Sequence, residues 1–171
     1  MNPEELLATT KKWKAVLDEL NVPFIIYQSM VLGLMRNGYF FHERVAEIAV
    51  LGEDIEPHID ALKADSRLAF QAEHPHAAPH CLLYFPDCEI APIYAKGGKA
   101  VINMTDSNCL VWGDYLLDKS DWTTFRYMDF DWPIPGHTEQ YLTESYGDWR
   151  IPKPNYAWAR DARNIQGWDE I

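Results

Sequence analysis

Glu47 and Glu89 are the residues around which chemistry can be built. Glu47 interrupts an apolar run over 45–51, and Glu89 lies between Cys88 and Ile90 in a second strand-like run. Side chains alternate across a strand, so each glutamate is either buried or aimed into a pocket. An unpaired buried carboxylate is costly, which points to a functional or metal-holding role. His42 and Glu43 precede Glu47 closely enough to join it. Crowded carboxylates raise one another's pKa, and a neighbouring histidine titrates near neutrality. Together His42, Glu43, Glu47 and Glu89 would form a protonatable cluster. Such a cluster suits isomerisation, cyclisation or elimination on a small molecule. The plainer reading of His42-Glu43-Arg44 is a solvated loop tip with an ordinary ion pair.

Other chemistry-bearing residues carry less. Glu73, His74, His76, His80 and Cys81 could ligate a metal, but their spacing matches no established site and the intervening prolines suggest a surface hairpin loop. The cysteines at 81, 88 and 109 have no zinc-type spacing, and their odd number argues against a complete disulfide framework. Lys96-Gly97-Gly98-Lys99 lacks the spacing and the following Ser or Thr of a phosphate-binding loop, and reads as a hairpin turn. Arg36 reads as a structural cation at a helix end.

The elements that must position these groups follow from periodicity. Asn2-Pro3-Glu4-Glu5 starts a helix, with Leu6, Trp13, Leu17 and Leu20 on one face. Strand 24–27 and a helical turn over 29–36 come next, ended by Asn37-Gly38. Strand 45–51 precedes a helix that Asp54 can cap, with Ile55, Ile59 and Leu62 on its buried face. Strands are expected over 68–73, 81–85, 88–94 and 100–103, then a less regular region, then a strand over 123–132 broken by Pro133 and Pro135. Thr138 can cap a helix running to Tyr146 and stopped by Gly147. The aromatic and proline-rich tail, about 148–171, is expected to pack on the domain as core and not as a binding wall. Interleaved helices and strands give an α/β (α+β) class, and 171 residues suit one domain.

Composition bounds the partners. Hydrophobic residues make up 47% of the chain, and the formal net charge is −11. A surface this acidic repels phosphate backbones, which disfavours nucleic acid. No run approaches a membrane span, and Met1-Asn2-Pro3-Glu4 opens no secretory signal. The expectation is a soluble cytoplasmic protein with a small-molecule ligand or substrate. The sequence leaves its oligomeric state open.

The order of these pieces resembles the LicD/fukutin branch of the nucleotidyltransferase superfamily. Ser29-Met30-Val31-Leu32-Gly33-Leu34-Met35-Arg36, then Gly38-Tyr39-Phe40 and an acidic strand, is similar to the family's Gly-Thr-Leu-Leu-Gly-x-x-Arg segment and its aspartate-rich strand. The stretch from Cys88 to Tyr94 resembles the strand bearing the next acidic residue. Glu139-Gln140-Tyr141-Leu142, and Tyr146-Gly147-Asp148-Trp149 before Pro152, resemble the late Leu-x-x-x-Tyr-Gly signature. The resemblance implies a mixed sheet flanked by helices. It implies divalent metal ions, Mg²⁺ or Mn²⁺, held by carboxylates against nucleotide phosphates, and transfer of phosphocholine or a phospho-alcohol to a glycan. It also implies that Tyr27 and Ser29 line the pocket and that Arg36 is an anion contact.

This chain departs from that pattern. Ser29-Met30 stands where the family has Gly-Thr or Gly-Ser. Val45 and Glu47 stand at the paired metal positions, and Glu89 replaces the third aspartate. Three readings follow. The chain keeps metal-dependent transfer through Glu47, Glu89 and a substitute ligand from His42 or Glu43; or it does metal-free acid–base chemistry; or it binds without turnover. Glu43 and Glu47 would lie about 13 Å apart on a regular strand, so the residues favour the latter two.

Overall fold

The computed structural model describes residues 1–41, 44–73, 80–105 and 107–171, with backbone alone at 158 and 159. Helix α1 (Pro3–Glu19) begins as its sequence requires. Asn2 accepts from the Glu4 and Glu5 amides, and the Glu5 carboxylate accepts from the Asn2 amide. Leu6, Trp13 and Leu17 are buried on one face. Strand β1 (Phe24–Ile26) leads into α2 (Gln28–Asn37), a ten-residue helix where the sequence suggests only a turn from Ser29. Gly38 caps it in the left-handed region, its N–H donating to the Leu34 carbonyl at 3.0 Å.

Strand β2 (Ala46–Leu51) then runs into α3 (Gly52–Ile55) and α4 (Ile59–Ala64), separated by a 3-10 turn holding Pro57. Asp54 does not cap: it sits inside α3 and pairs with Lys119 at 2.9 Å. The strands expected over 68–73 and 81–85 shrink to β3 (Ala72–Glu73) and β4 (Leu83–Tyr84). A turn closes from Leu68 N–H to the Asp65 carbonyl, and Ala69 takes a left-handed φ of 52°, so no extended run starts before residue 72.

Strand β5 (Cys88–Lys96) and β6 (Lys99–Asn103) form the expected hairpin over Gly97-Gly98. The region expected to be irregular contains β7 (Asn108–Trp112), with Cys109 to Trp112 buried. The single strand expected over 123–132 is a hairpin, β8 (Thr123–Tyr127) and β9 (Phe130–Ile134), turning at Met128 with φ 55°. Pro133 does not break it. The hairpin is a sheet of two strands, where a missing ladder donor is tolerated. Helix α5 (Thr138–Tyr146) starts at the residue expected to cap it, one residue earlier than expected. Thr138 is its first residue, and the hydroxyl donates back to the Pro135 carbonyl at 2.5 Å. After α6 (Trp158–Asp161), the tail contributes β10 (Ile165–Gly167) to the sheet.

The main sheet has the order β1-β2-β5-β6-β7-β10, with β4 also on β5 and β3 on β4. Among the described strands, β2 and β5 make the one parallel pair, in the register Glu47↔Glu89, Ile48↔Ile90, Ala49↔Ala91. A parallel pair needs a long crossover and cover on both faces, and residues 48–51 and 90–93 are buried accordingly. Helix α1 contacts both strands. The Trp13 indole N–H donates to Asp87 at 2.9 Å and Lys12 pairs with the same carboxylate, which fixes the start of β5. No described helix is long and apolar enough to cross a membrane.

Candidate active site

The register of β2 and β5 brings Glu47 and Glu89 side by side. Adjacent strands lie about 4.8 Å apart, and paired residues project to the same face. Both face a cavity of about 920 Å³, within the range of small-molecule sites. Tyr27, Ser29 and Arg36 line the same cavity. The structure therefore gathers five of the seven residues singled out from sequence. His42 and Glu43, the other two, lie outside the described residues.

Each carboxylate has a hydroxyl donor. Ser29 Oγ donates to Glu47 Oε2 at 2.5 Å, and the Met30 amide approaches the same oxygen at 3.3 Å. The Tyr27 hydroxyl donates to Glu89 Oε1. Burial pushes the Glu89 carboxyl up, and the Tyr27 hydrogen bond offsets part of the rise. Burial first, then the nearby charges of Glu89 and Glu47, holds the Tyr27 phenol well above its usual range, so it remains a donor. Glu89 makes no ion pair among the described residues.

The turn before α2 places Ser29. Gln28 has φ 50°, the left-handed region that ordinary side chains avoid. The resemblance sets Ser29 where the LicD/fukutin pattern has glycine; the structure puts the left-handed residue at Gln28. Helix α5 holds it there. The Gln28 amide donates to the Tyr141 hydroxyl at 2.7 Å, and the Tyr146 hydroxyl donates to Gln28 Oε1 at 3.0 Å. Tyr141 stacks on Trp112 with centroids 5.5 Å apart, and the Trp112 indole donates to Ser145. The sequence offered no local signal for Gln28 or Tyr141 as supports, because their partners are more than a hundred residues away.

Ser29, Leu32 and Arg36 follow one another at helical spacing and line one wall. Arg36 donates to Asn37 Oδ1 and the Trp149 carbonyl, and stacks on Phe41 with 5.0 Å to the ring centroid. The guanidinium has no carboxylate partner among the described residues. The opposite wall is the tail: Trp149, Ile151, Pro152, Lys153, Pro154 and Tyr156. Its use as core was expected. Trp149 is buried, yet the segment also walls the cavity. The segment is closed on α5, where the Arg163 amide donates to the Ser145 carbonyl at 3.1 Å.

The residues present fit a metal only in part. No group of three His, Cys, Asp or Glu able to hold an ion exists among the described residues, and the Val45 side chain offers no ligand atom. Glu47 and Glu89 could share one hard cation with the phosphates of a ligand; they do not assemble a two-metal site. Of the metal-capable group at 73–81, His74 and His76 lie outside the described residues, while Glu73 is bonded to Lys63 at 2.5 Å and to His80 Nδ1 at 2.7 Å.

No protein-family model matches the chain, and no curated protein matches it in sequence. Among solved structures, the chain is similar to the lincosamide antibiotic adenylyltransferase LnuA in its lincomycin-bound form. The match has a TM-score of 0.52 at 13% identity, and covers 82% of this chain and 87% of that one. The likeness is one of fold: a mixed α/β sheet with flanking helices, of nucleotidyltransferase type.

Proposed function

We propose that this chain is a divergent, LicD-like member of the nucleotidyltransferase-fold proteins that binds a small organic molecule and moves a proton on it without a two-metal centre. The observation that carries this reading is the Tyr27–Glu89 pair at the cavity floor. Glu89 is a desolvated carboxyl with a phenol donor and, among the described residues, no ion pair, which suits a group that exchanges a proton with a bound ligand. Ser29 holds Glu47 beside it. If no ligand is turned over, the same pocket serves as a binding site, and Glu89 then orients the ligand without reacting.

A second reading has its own support. Two in-register carboxylates on a fold shared with an adenylyltransferase suit one divalent cation shared with nucleotide phosphates, for transfer to a hydroxyl acceptor. Calorimetric titration of ATP and cytidine diphosphate-choline, each with and without Mg²⁺ or Mn²⁺, separates the two. The primary reading expects no metal-dependent binding. Metal-dependent binding that disappears in Glu47→Gln and Glu89→Gln sinks it and establishes the transferase reading.

A further inference from the structure

Glu89 is flanked on both sides of its strand. Its partner on β2 is Glu47, and its partner on β4 is Tyr84. Residues paired across a ladder project to the same face, and adjacent strands lie about 4.8 Å apart. Glu47, Glu89 and Tyr84 therefore form a row on three neighbouring strands, and all three line the cavity. The two neighbours of Glu89 are unlike. Glu47 already accepts from Ser29 Oγ at 2.5 Å. Tyr84 is half-buried, and burial followed by the charge of Glu89 pushes its phenol up to about 12, so it keeps its proton at neutral pH. Glu89 accepts from the buried Tyr27 hydroxyl at Oε1. Its Oε2 accepts nothing among the described residues and is not sealed from the cavity. A base that takes a proton from carbon leaves an electron pair behind, and that pair must settle on an atom that a nearby donor stabilises.

We propose that Tyr84 contacts the substrate and that the substrate carries a carbonyl group: Glu89 takes a proton from the carbon beside the carbonyl, and the Tyr84 hydroxyl donates to the carbonyl oxygen. The C–H bond breaks and an O–H bond forms on Glu89 Oε2. The C–H electron pair becomes the carbon–carbon double bond, and the carbonyl π pair moves to the oxygen, where Tyr84 holds the enolate without giving up its own proton. Glu89 then returns the proton to the same carbon, or to one conjugated with it, which is an isomerisation. No oxidant, reductant or co-reactant is consumed. This assignment rests on the proposed metal-free proton transfer and narrows its substrate class.

The test uses 4-nitrophenol, whose ionised form mimics an enolate, and 4-nitrotoluene, which has a similar shape without the oxygen. Both are titrated into the full chain with a chelator present, at a pH where the phenol is ionised. Glu89→Gln removes the charge that repels a bound oxyanion, so it should bind 4-nitrophenol more tightly than the wild type. Adding Tyr84→Phe to Glu89→Gln should weaken 4-nitrophenol at least about tenfold, the worth of a hydrogen bond to a charged oxygen, and leave 4-nitrotoluene unchanged. A second arm leaves Tyr84 in place. In Glu89→Gln labelled with carbon-13 at the tyrosine Cζ, the Tyr84 resonance should shift with 4-nitrophenol and not with 4-nitrotoluene. Weaker binding of 4-nitrophenol in Glu89→Gln overturns the proposal, as does an affinity that Tyr84→Phe leaves unchanged or a Tyr84 resonance that does not move. Failure of the underlying reading registers separately, as metal-dependent ATP binding in samples without chelator.

Discussion

The Tyr27 hydroxyl donates to Glu89 across the end of β2, joining the residue after β1 to the second residue of β5. Tyr27 is thus the group that satisfies the buried carboxyl, and its removal is informative. Tyr27→Phe should destabilise the fold by about 1–3 kcal/mol, the cost of stranding a buried polar group. It should also raise the Glu89 carboxyl further, because the interaction opposing burial is lost. Denaturant titration reads the first effect, and carboxyl-carbon NMR across pH reads the second. A carboxyl titration unchanged from wild type would show that the pair does not couple.

Glu89 itself sets a pH dependence. Its folded pKa lies above the unfolded value because burial disfavours the charge. Its contribution to stability is therefore complete below the unfolded carboxyl range and is lost as pH rises through the folded pKa. Glu89→Gln removes that loss. The variant should gain on the wild type as pH rises through the folded pKa, with the difference level above it. Urea midpoints at a series of pH values check the sign, and a variant that loses ground to the wild type with rising pH contradicts it.

Gly33 controls the cavity from behind. A Cβ there would lie 2.7 Å from the Tyr39 carbonyl oxygen and 3.1 Å from the Phe41 amide nitrogen, both backbone atoms. Gly33→Ala must push the 39–41 segment away from α2, at about 1–3 kcal/mol for overpacking. Phe41 lines the cavity and stacks on Arg36, so the same variant should weaken any ligand that engages Arg36. Thermal unfolding and probe affinity should fall together.

Tyr141 supports the left-handed turn. Tyr141→Phe keeps the ring on Trp112 but leaves the Gln28 amide without its acceptor. The expected loss is about 1–3 kcal/mol, with faster hydrogen exchange at the Gln28 amide. Protection at Gln28 equal to wild type would mean that Tyr141 contributes only packing.

The sequence by itself determined the elements whose signals are local. The Asn2–Glu5 cap, the α1 face, the Gly38 and Gly147 stops and the strands bearing Glu47 and Glu89 all depend on neighbours within a few residues, and all are present. An acidic residue inside an apolar run was enough to mark both glutamates. The tertiary structure alone decided which residues meet. The β2–β5 register is set by a crossover of dozens of residues, and it places Glu47 opposite Glu89. The hydroxyls of Tyr141 and Tyr146 reach Gln28 from α5, and the tail walls the cavity because β10 returns to β7. The apolar run in β7 and the left-handed turns at Ala69 and Met128 escaped sequence reading for the same reason. Their conformations are imposed by long-range pairing and packing, which outweigh local propensity.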